Sequence, residues 1–292
     1  MIMTEPRTVL SIDVGGTKML AALIRGTEIV DTHRMPTPRQ GDPTQWLAAL
    51  FGAIASWRGA YGSVGAAVTG IVDNGQWSAL NRNTLAIPDR FPLTATIERL
   101  ADVPVLAAND AHAAAWGEYA FGAGNREDMV FLTISTGIGG GIVLNGRLLE
   151  GLAGHFGQSR SAEWADDVLE DRVSGHWIAR EASPHQSGAT ARDVFAAARN
   201  ADDWARRIIE TSAGRTALLC RNIQLTLDPK RIVIGGSIGL AEGYLAAVER
   251  ALEPVPPRLR PSLHAAALGE NAGVIGVANL AECQQNLREN QK

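Results

Sequence analysis

Three stretches of this chain place glycine and hydroxyl side chains directly after a run of β-branched and aliphatic residues. They are Asp13-Val14-Gly15-Gly16-Thr17-Lys18, Ser135-Thr136-Gly137-Ile138-Gly139-Gly140-Gly141 and Gly235-Gly236-Ser237-Ile238-Gly239. Glycine there lets the backbone approach a ligand closely and turn successive N–H groups toward one anion, with phosphate the natural guest. Thr17, Ser135 and Thr136 can add hydroxyl contacts. Asp13, ending a strand beside the first turn, is placed to hold Mg²⁺ through water, because that ion keeps part of its hydration shell. A single such turn reads as a tight hairpin. Three of them, two with hydroxyls, point to phosphate.

Asn109-Asp110-Ala111 closes another aliphatic run and opens an alanine-rich helix. Two readings stand side by side. Asn and Asp are favoured at a helix N-cap for local reasons. A carboxylate at the carboxyl end of a strand also sits where α/β proteins keep their ligands, and it can take a proton from an attacking alcohol. His155, in Gly154-His155-Phe156-Gly157-Gln158, reads as a surface histidine in a glycine loop, and Glu170 as an acid at a helix start. Other motifs are excluded. There is no GxxxxGK[ST], and the 137–141 glycines do not continue as GxGxxG into a helix. Gly235-Gly236-Ser237-Ile238-Gly239 spells GxSxG, but no Asp follows it, and His264 falls in an expected loop, so no hydrolase triad forms.

The elements around these residues follow from patterning. Val9 to Ile12, Met19 to Ile24 and Ile29-Val30 predict a strand meander, with Arg25-Gly26-Thr27 closing its second hairpin. Trp46, Leu47, Leu50, Phe51 and Ile54 recur at helical spacing, with Asp42 and Thr44 as capping candidates. Val64 to Val68 and Val103 to Ala107 predict strands, and Thr94 to Leu100 and Ala111 to Tyr119 helices. The opening then recurs: strand Met129 to Ser135, glycine turn Thr136 to Gly141, return strand Ile142 to Leu144, and an Asn145-Gly146 hairpin. Asp13-Val14-Gly15 overlays Ser135-Thr136-Gly137, 122 positions on, which reads as an internal duplication. Beyond it, Trp204 to Leu227 predicts a long helix stopped by Asp228-Pro229, then come a short strand at Arg231 to Ile234 and helices over Glu242 to Leu252 and Ala272 to Leu287.

The 292 residues suit about two domains. Cys220 and Cys283 have no CxxC partner and cannot build a disulfide framework or a zinc site, which fits a reducing, cytoplasmic home. A net charge of −4 argues against nucleic acid or membrane as the main partner. No run approaches the roughly 18 apolar residues of a membrane span, and Glu5-Pro6 interrupts any leader.

Ile12 to Lys18, Asn109-Asp110-Ala111, Leu132 to Gly141 and Ile232 to Gly239 resemble, in this order, the signatures of the ROK family of sugar kinases and repressors, from about residue 8 to 282. Within the family, Ser78 to Asn81, Gly151 to His155 and Gly236 to Leu245 look like the N-acetylmannosamine kinases of bacteria. The resemblance implies an α/β, actin-like ATPase fold of the ribonuclease H-like kind. It would be duplicated into two domains about a central cleft, 1–109 plus 272–292 and 110–271, with no DNA-binding extension in front. It implies ATP-dependent phosphorylation of a hexosamine 6-hydroxyl, N-acetyl-D-mannosamine first, in sialic acid breakdown. Glucose kinases, N-acetylglucosamine kinases and a non-catalytic sugar sensor are the alternatives.

Carried over residue by residue, Asp110 is the base, and Asn81, Asn109, His155 and Glu170 contact sugar. Gly15, Gly16, Thr17 and Lys18 form the first phosphate turn, Thr136, Gly137 and Gly139 the second, and Gly235 and Gly236 the adenosine loop. ATP and Mg²⁺ are the implied cofactors, and a homodimer the implied assembly. One departure stands out. Most members carry a histidine and a CxCGxxGC cluster that bind structural zinc. Here Gln158 replaces the histidine, and no cysteine lies between Gln158 and Glu170, so no zinc site is expected. Gln158 must then replace the histidine's sugar contact with its amide or abandon it.

Overall fold

The structure is a computed structural model and describes residues 7–38, 41–80, 85, 87–161 and 167–290. The chain begins with strands β1 (Thr8–Val14), β2 (Lys18–Arg25) and β3 (Glu28–Pro36) and helix α1 (Pro43–Ala53). There follow β4 (Val64–Val68), the hairpin β5 (Ile71–Asp73) and β6 (Gln76–Ser78), α2 (Leu93–Ala101), β7 (Val105–Asn109) and α3 (Asp110–Phe121). A second meander is β8 (Met129–Ile134), β9 (Ile138–Leu144) and β10 (Arg147–Leu148). Then come α4 (Glu170–Val173), α5 (Gly175–Ala182), α6 (Ala191–Arg199), α7 (Asp203–Leu227), β11 (Arg231–Gly235), α8 (Gly236–Gly239), α9 (Tyr244–Leu252), β12 (Leu263–Ala265) and α10 (Ala272–Asn290).

The chain divides into two compact units. The first holds residues 1–121, 150–152 and 271–292, and its sheet runs β3-β2-β1-β4-β7. The second holds 122–149 and 153–270, and its sheet runs β10-β9-β8-β11-β12. Both sheets share one plan: an antiparallel meander whose first strand pairs in parallel with a later strand, which pairs in parallel with a fifth. The recurrence read from sequence is thus a recurrence of topology, the ribonuclease H-like plan of the expected fold. Each unit has its own apolar core, with Leu10, Ile12 and Leu50 fully buried in one and Leu132, Ile178 and Ile234 in the other.

The first unit does not end at Asn109, because α3 packs on α10. The two helices cross at glycine: Gly117 faces the Ala272 carbonyl and Gly276 the Ala113 carbonyl, and neither contact leaves space for a Cβ. Ser11 Oγ in β1 donates to Val274 O at 2.6 Å and fixes α10 to the sheet. Both apolar faces of that sheet are thereby covered, as a largely buried strand such as β4 requires.

Three local expectations change. The glycine run after β8 is not one long turn: β9 already starts at Ile138, and Gly139, Gly140 and Gly141 lie on it opposite Thr133, Leu132 and Phe131. His264 lies on the edge strand β12, paired with Val233, and not in a loop. Asp42 alone caps α1, accepting Thr44 N–H at 2.9 Å. No described helix is long and apolar enough to cross a membrane.

Candidate active site

In the first unit, parallel pairing brings Val14, Val68 and Asn109 level with one another at the carboxyl ends of β1, β4 and β7. Asp13 is level with Ala67 and Ala108, across β4 from the end of β7 where α3 begins. Asn109 performs the capping: its Oδ1 accepts the N–H groups of Ala111 at 2.9 Å and His112 at 3.2 Å. Its Nδ2 donates to Gly70 O at 2.8 Å, which ties the end of β7 to the segment after β4. Asp110 is then the first helical residue, with one carboxylate oxygen 2.8 Å from Ala111 N. Burial first, and the charge of Asp110 second, push the Asp13 carboxyl up to about 7, while Lys18 pulls the other way. Two carboxylates that oppose each other's ionisation are a chemistry that a divalent cation relieves.

The first glycine turn, residues 15–18, is closed by Gly15 N–H donating to Lys18 O at 3.0 Å. Thr37, just past β3, straps it: Thr37 Oγ1 donates to Gly15 O at 2.7 Å and Thr37 N–H to Thr17 O at 3.1 Å. Thr17 and Lys18 remain exposed. Sequence reasoning missed Thr37, since nothing in Met35-Pro36-Thr37-Pro38 marks it as a strap.

In the second unit the corresponding turn is Ser135-Thr136-Gly137, closed by Ser135 N–H to Gly137 O at 2.9 Å. Thr136 is exposed. Gly236, with φ +85°, folds its backbone over Ile134 at the end of β8, where no Cβ fits. That brings Ser237 Oγ to 3.1 Å from Ser135 Oγ, so two of the three glycine turns meet. Glu170, opening α4, accepts Ile138 N–H at 2.7 Å, and its carboxylate lies against Gly137. His155 immediately precedes a short 3-10 turn, Phe156–Gln158, in which Gln158 is exposed. This loop backs onto β9 through Gly154, which faces the backbone of Gly140.

The structure thus brings Asp13, Asn109 and Asp110 together in one unit, and Thr136, Gly137, Gly235, Gly236 and Glu170 in the other. Gly139 sits on β9 rather than in the turn. Asn81 lies outside the described residues, as do 162–166 of the stretch in which no zinc site is expected. Among the described residues no three His, Cys, Asp or Glu side chains gather to hold a metal ion.

Residues 9–284 match the ROK family. The bifunctional enzyme NanE/NanK of Brucella melitensis is 47% identical over 94% of this chain, which spans about half (54%) of that relative's length. The N-acetylmannosamine kinase of Shigella flexneri is 41% identical, with 94% of this chain and 98% of that protein covered. Among solved structures, the ROK hexokinase of Thermus thermophilus superposes with a TM-score of 0.80 at 29% identity, covering 96% of this chain and 99% of that one. A ROK family glucokinase from Streptomyces griseus, in complex with glucose and AMPPNP, gives 0.78 at 26% identity over 94% and 99%. With the duplicated sheet plan, the two sets of strand-end residues and a match along nearly all of its length, this chain belongs to the ROK family.

Proposed function

We propose that this protein phosphorylates N-acetyl-D-mannosamine at its 6-hydroxyl with ATP, giving the 6-phosphate and ADP in sialic acid breakdown. The observation that carries the proposal is the Asp13–Asp110 pair at the carboxyl ends of β1 and β7. Asp110, at the start of α3, accepts the 6-hydroxyl proton as that oxygen attacks the terminal phosphorus, and the bond to the ADP oxygen breaks. Asp13 would hold Mg²⁺, which when bound would supply positive charge to offset that of the transferring phosphoryl group. Gly15, Gly16, Thr17 and Lys18 serve one phosphate turn, and Thr136 and Gly137 the other, with Gly139 just beyond it on β9. Gly235 and Gly236 serve the adenosine. Asn81, Asn109, His155, Gln158 and Glu170 serve the sugar, with no structural zinc. Asn109 already spends its Oδ1 on the α3 cap and one Nδ2 N–H on Gly70 O, so its second amide N–H is the group left to offer a hydroxyl. A cytoplasmic homodimer is the form we propose, and light scattering of the purified chain tests the assembly.

The test of function is ADP release with N-acetylmannosamine, N-acetylglucosamine, glucose and fructose, with and without a zinc-specific chelator. N-acetylmannosamine is expected to give the highest kcat/KM, and the chelator to change nothing. A higher kcat/KM for glucose would reassign the sugar. An inert panel with tight sugar binding by calorimetry would make the chain a sensor.

A further inference from the structure

Residues 170–176 grip the second glycine turn from one side. Glu170 Oε2 accepts Ile138 N–H at 2.7 Å, Gly175 N–H donates to Ser135 O at 2.7 Å, and His176 N–H to Thr136 O at 3.4 Å. Gly137 and Gly157 both face the Glu170 carboxylate, and a Cβ at Gly137 would collide with it. The geometry of the turn is therefore built around that side chain. Yet α4, which carries Glu170, has only four residues and cannot hold its own shape. Its last carbonyls would be orphans at a helix end. Instead α7 captures them: Arg215 Nη1 donates to Arg172 O at 2.7 Å and Ser212 Oγ to Val173 O at 2.8 Å. Both donors are themselves fixed. The Arg215 guanidinium lies 4.9 Å from the centre of the Trp177 ring, and buried Ser212 shares Tyr244 OH, at 2.8 Å, with Thr216.

We infer that Glu170 is a positioning residue for the phosphate turn 135–138, set in place by α7 through Ser212 and Arg215. The carboxylate is a charged acceptor for a backbone N–H, a stronger bond than a neutral one. It holds the turn open for its guest before any sugar arrives. Only the identity of that guest, the phosphates of a nucleotide, rests on the kinase reading above.

Two measurements on the full chain test this. The first is amide hydrogen exchange of a peptide covering 135–139 without ligand. The second is equilibrium binding of a non-hydrolysable ATP analogue with Mg²⁺ and no sugar. Glu170→Gln keeps the size and removes the charge, so exchange at Ile138 should quicken and nucleotide affinity fall, each by about tenfold. Arg215→Lys keeps the charge and loses the planar donor, and should move both readouts in the same direction by roughly two- to threefold. Arg215→Lys also carries the test if Glu170→Gln does not fold. Unchanged exchange and unchanged nucleotide affinity, with any loss confined to the KM for sugar, would overturn the inference. If the unsubstituted protein phosphorylates no sugar, the kinase reading fails, and the exchange comparison still decides this one.

Discussion

The two glycine turns occupy the same place in the same sheet plan and are held in opposite ways. The first spans four residues, 15–18, and is strapped by Thr37, which follows it within its own meander. The second spans three, 135–137, and is held by a carboxylate and backbone groups more than thirty residues further on. Their neighbours differ as well. Beside the first lie two carboxylates that resist joint ionisation; beside the second lie Ser135, Thr136 and Ser237. A duplicated scaffold has thus kept its strand order while the residues at its two ends diverged, a carboxylate pair beside one turn and hydroxyls with the Glu170 carboxylate beside the other.

The largest break in this contrast should come from Asp110→Asn. Turnover is expected to fall by about 10²–10⁴-fold, the range of a lost general base, read by coupled ADP release. The same change should bring the Asp13 carboxyl down from about 7, since one of the two causes of its rise is removed. Near-normal turnover would return Asp110 to a structural role.

Asp13→Asn should raise the Mg²⁺ concentration needed for half-maximal activity by roughly 10–100-fold. It should also alter stability against pH in metal-free protein. Between about pH 4 and about 7 the folded chain keeps a proton on Asp13 that the unfolded chain has released, so this group's contribution to stability falls as pH rises through that window. Melting curves across the window should lose that slope in the variant. An unchanged slope would remove Asp13 as its source.

Smaller effects separate the helices of the two units. Gly276→Ala drives a methyl group into the Ala113 carbonyl where α10 crosses α3, and should cost about 1–3 kcal/mol by urea unfolding. Gly214→Ala, in the middle of α7 with nothing near its Cβ, should instead gain about 0.5–1 kcal/mol. Equal signs for the two would contradict the crossing geometry.

Most of the frame was legible because its signals are local. The β1–β2 hairpin, α7 with its stop at Asp228, and the Asn145-Gly146 turn each follow from periodicity or turn chemistry, and Asp228, Asn145 and Gly146 do adopt positive φ. The 138–141 run misled because glycine suits both a turn and a strand that another backbone approaches closely. Gly140 is of the second kind, pressed between Phe131 O and the Phe156 ring. At Asn109-Asp110 the sequence left a cap and a base as alternatives; in the fold Asn109 takes the cap, and the charge of Asp110 helps push the Asp13 carboxyl up. Thr37 and the α7–α4 bonds were invisible, because they depend on partners brought together only by tertiary packing.

Helix α10 bears on how the protein is made. Along the chain the second unit's last residue, Glu270, is added before any of α10. Until then β1 and β4 lack the helix that covers one of their faces, and Gly117 in α3 has no partner to close on. The earlier-encoded unit therefore closes its core only after the whole of the later-encoded one has been made, when α10 arrives to cover its open flank.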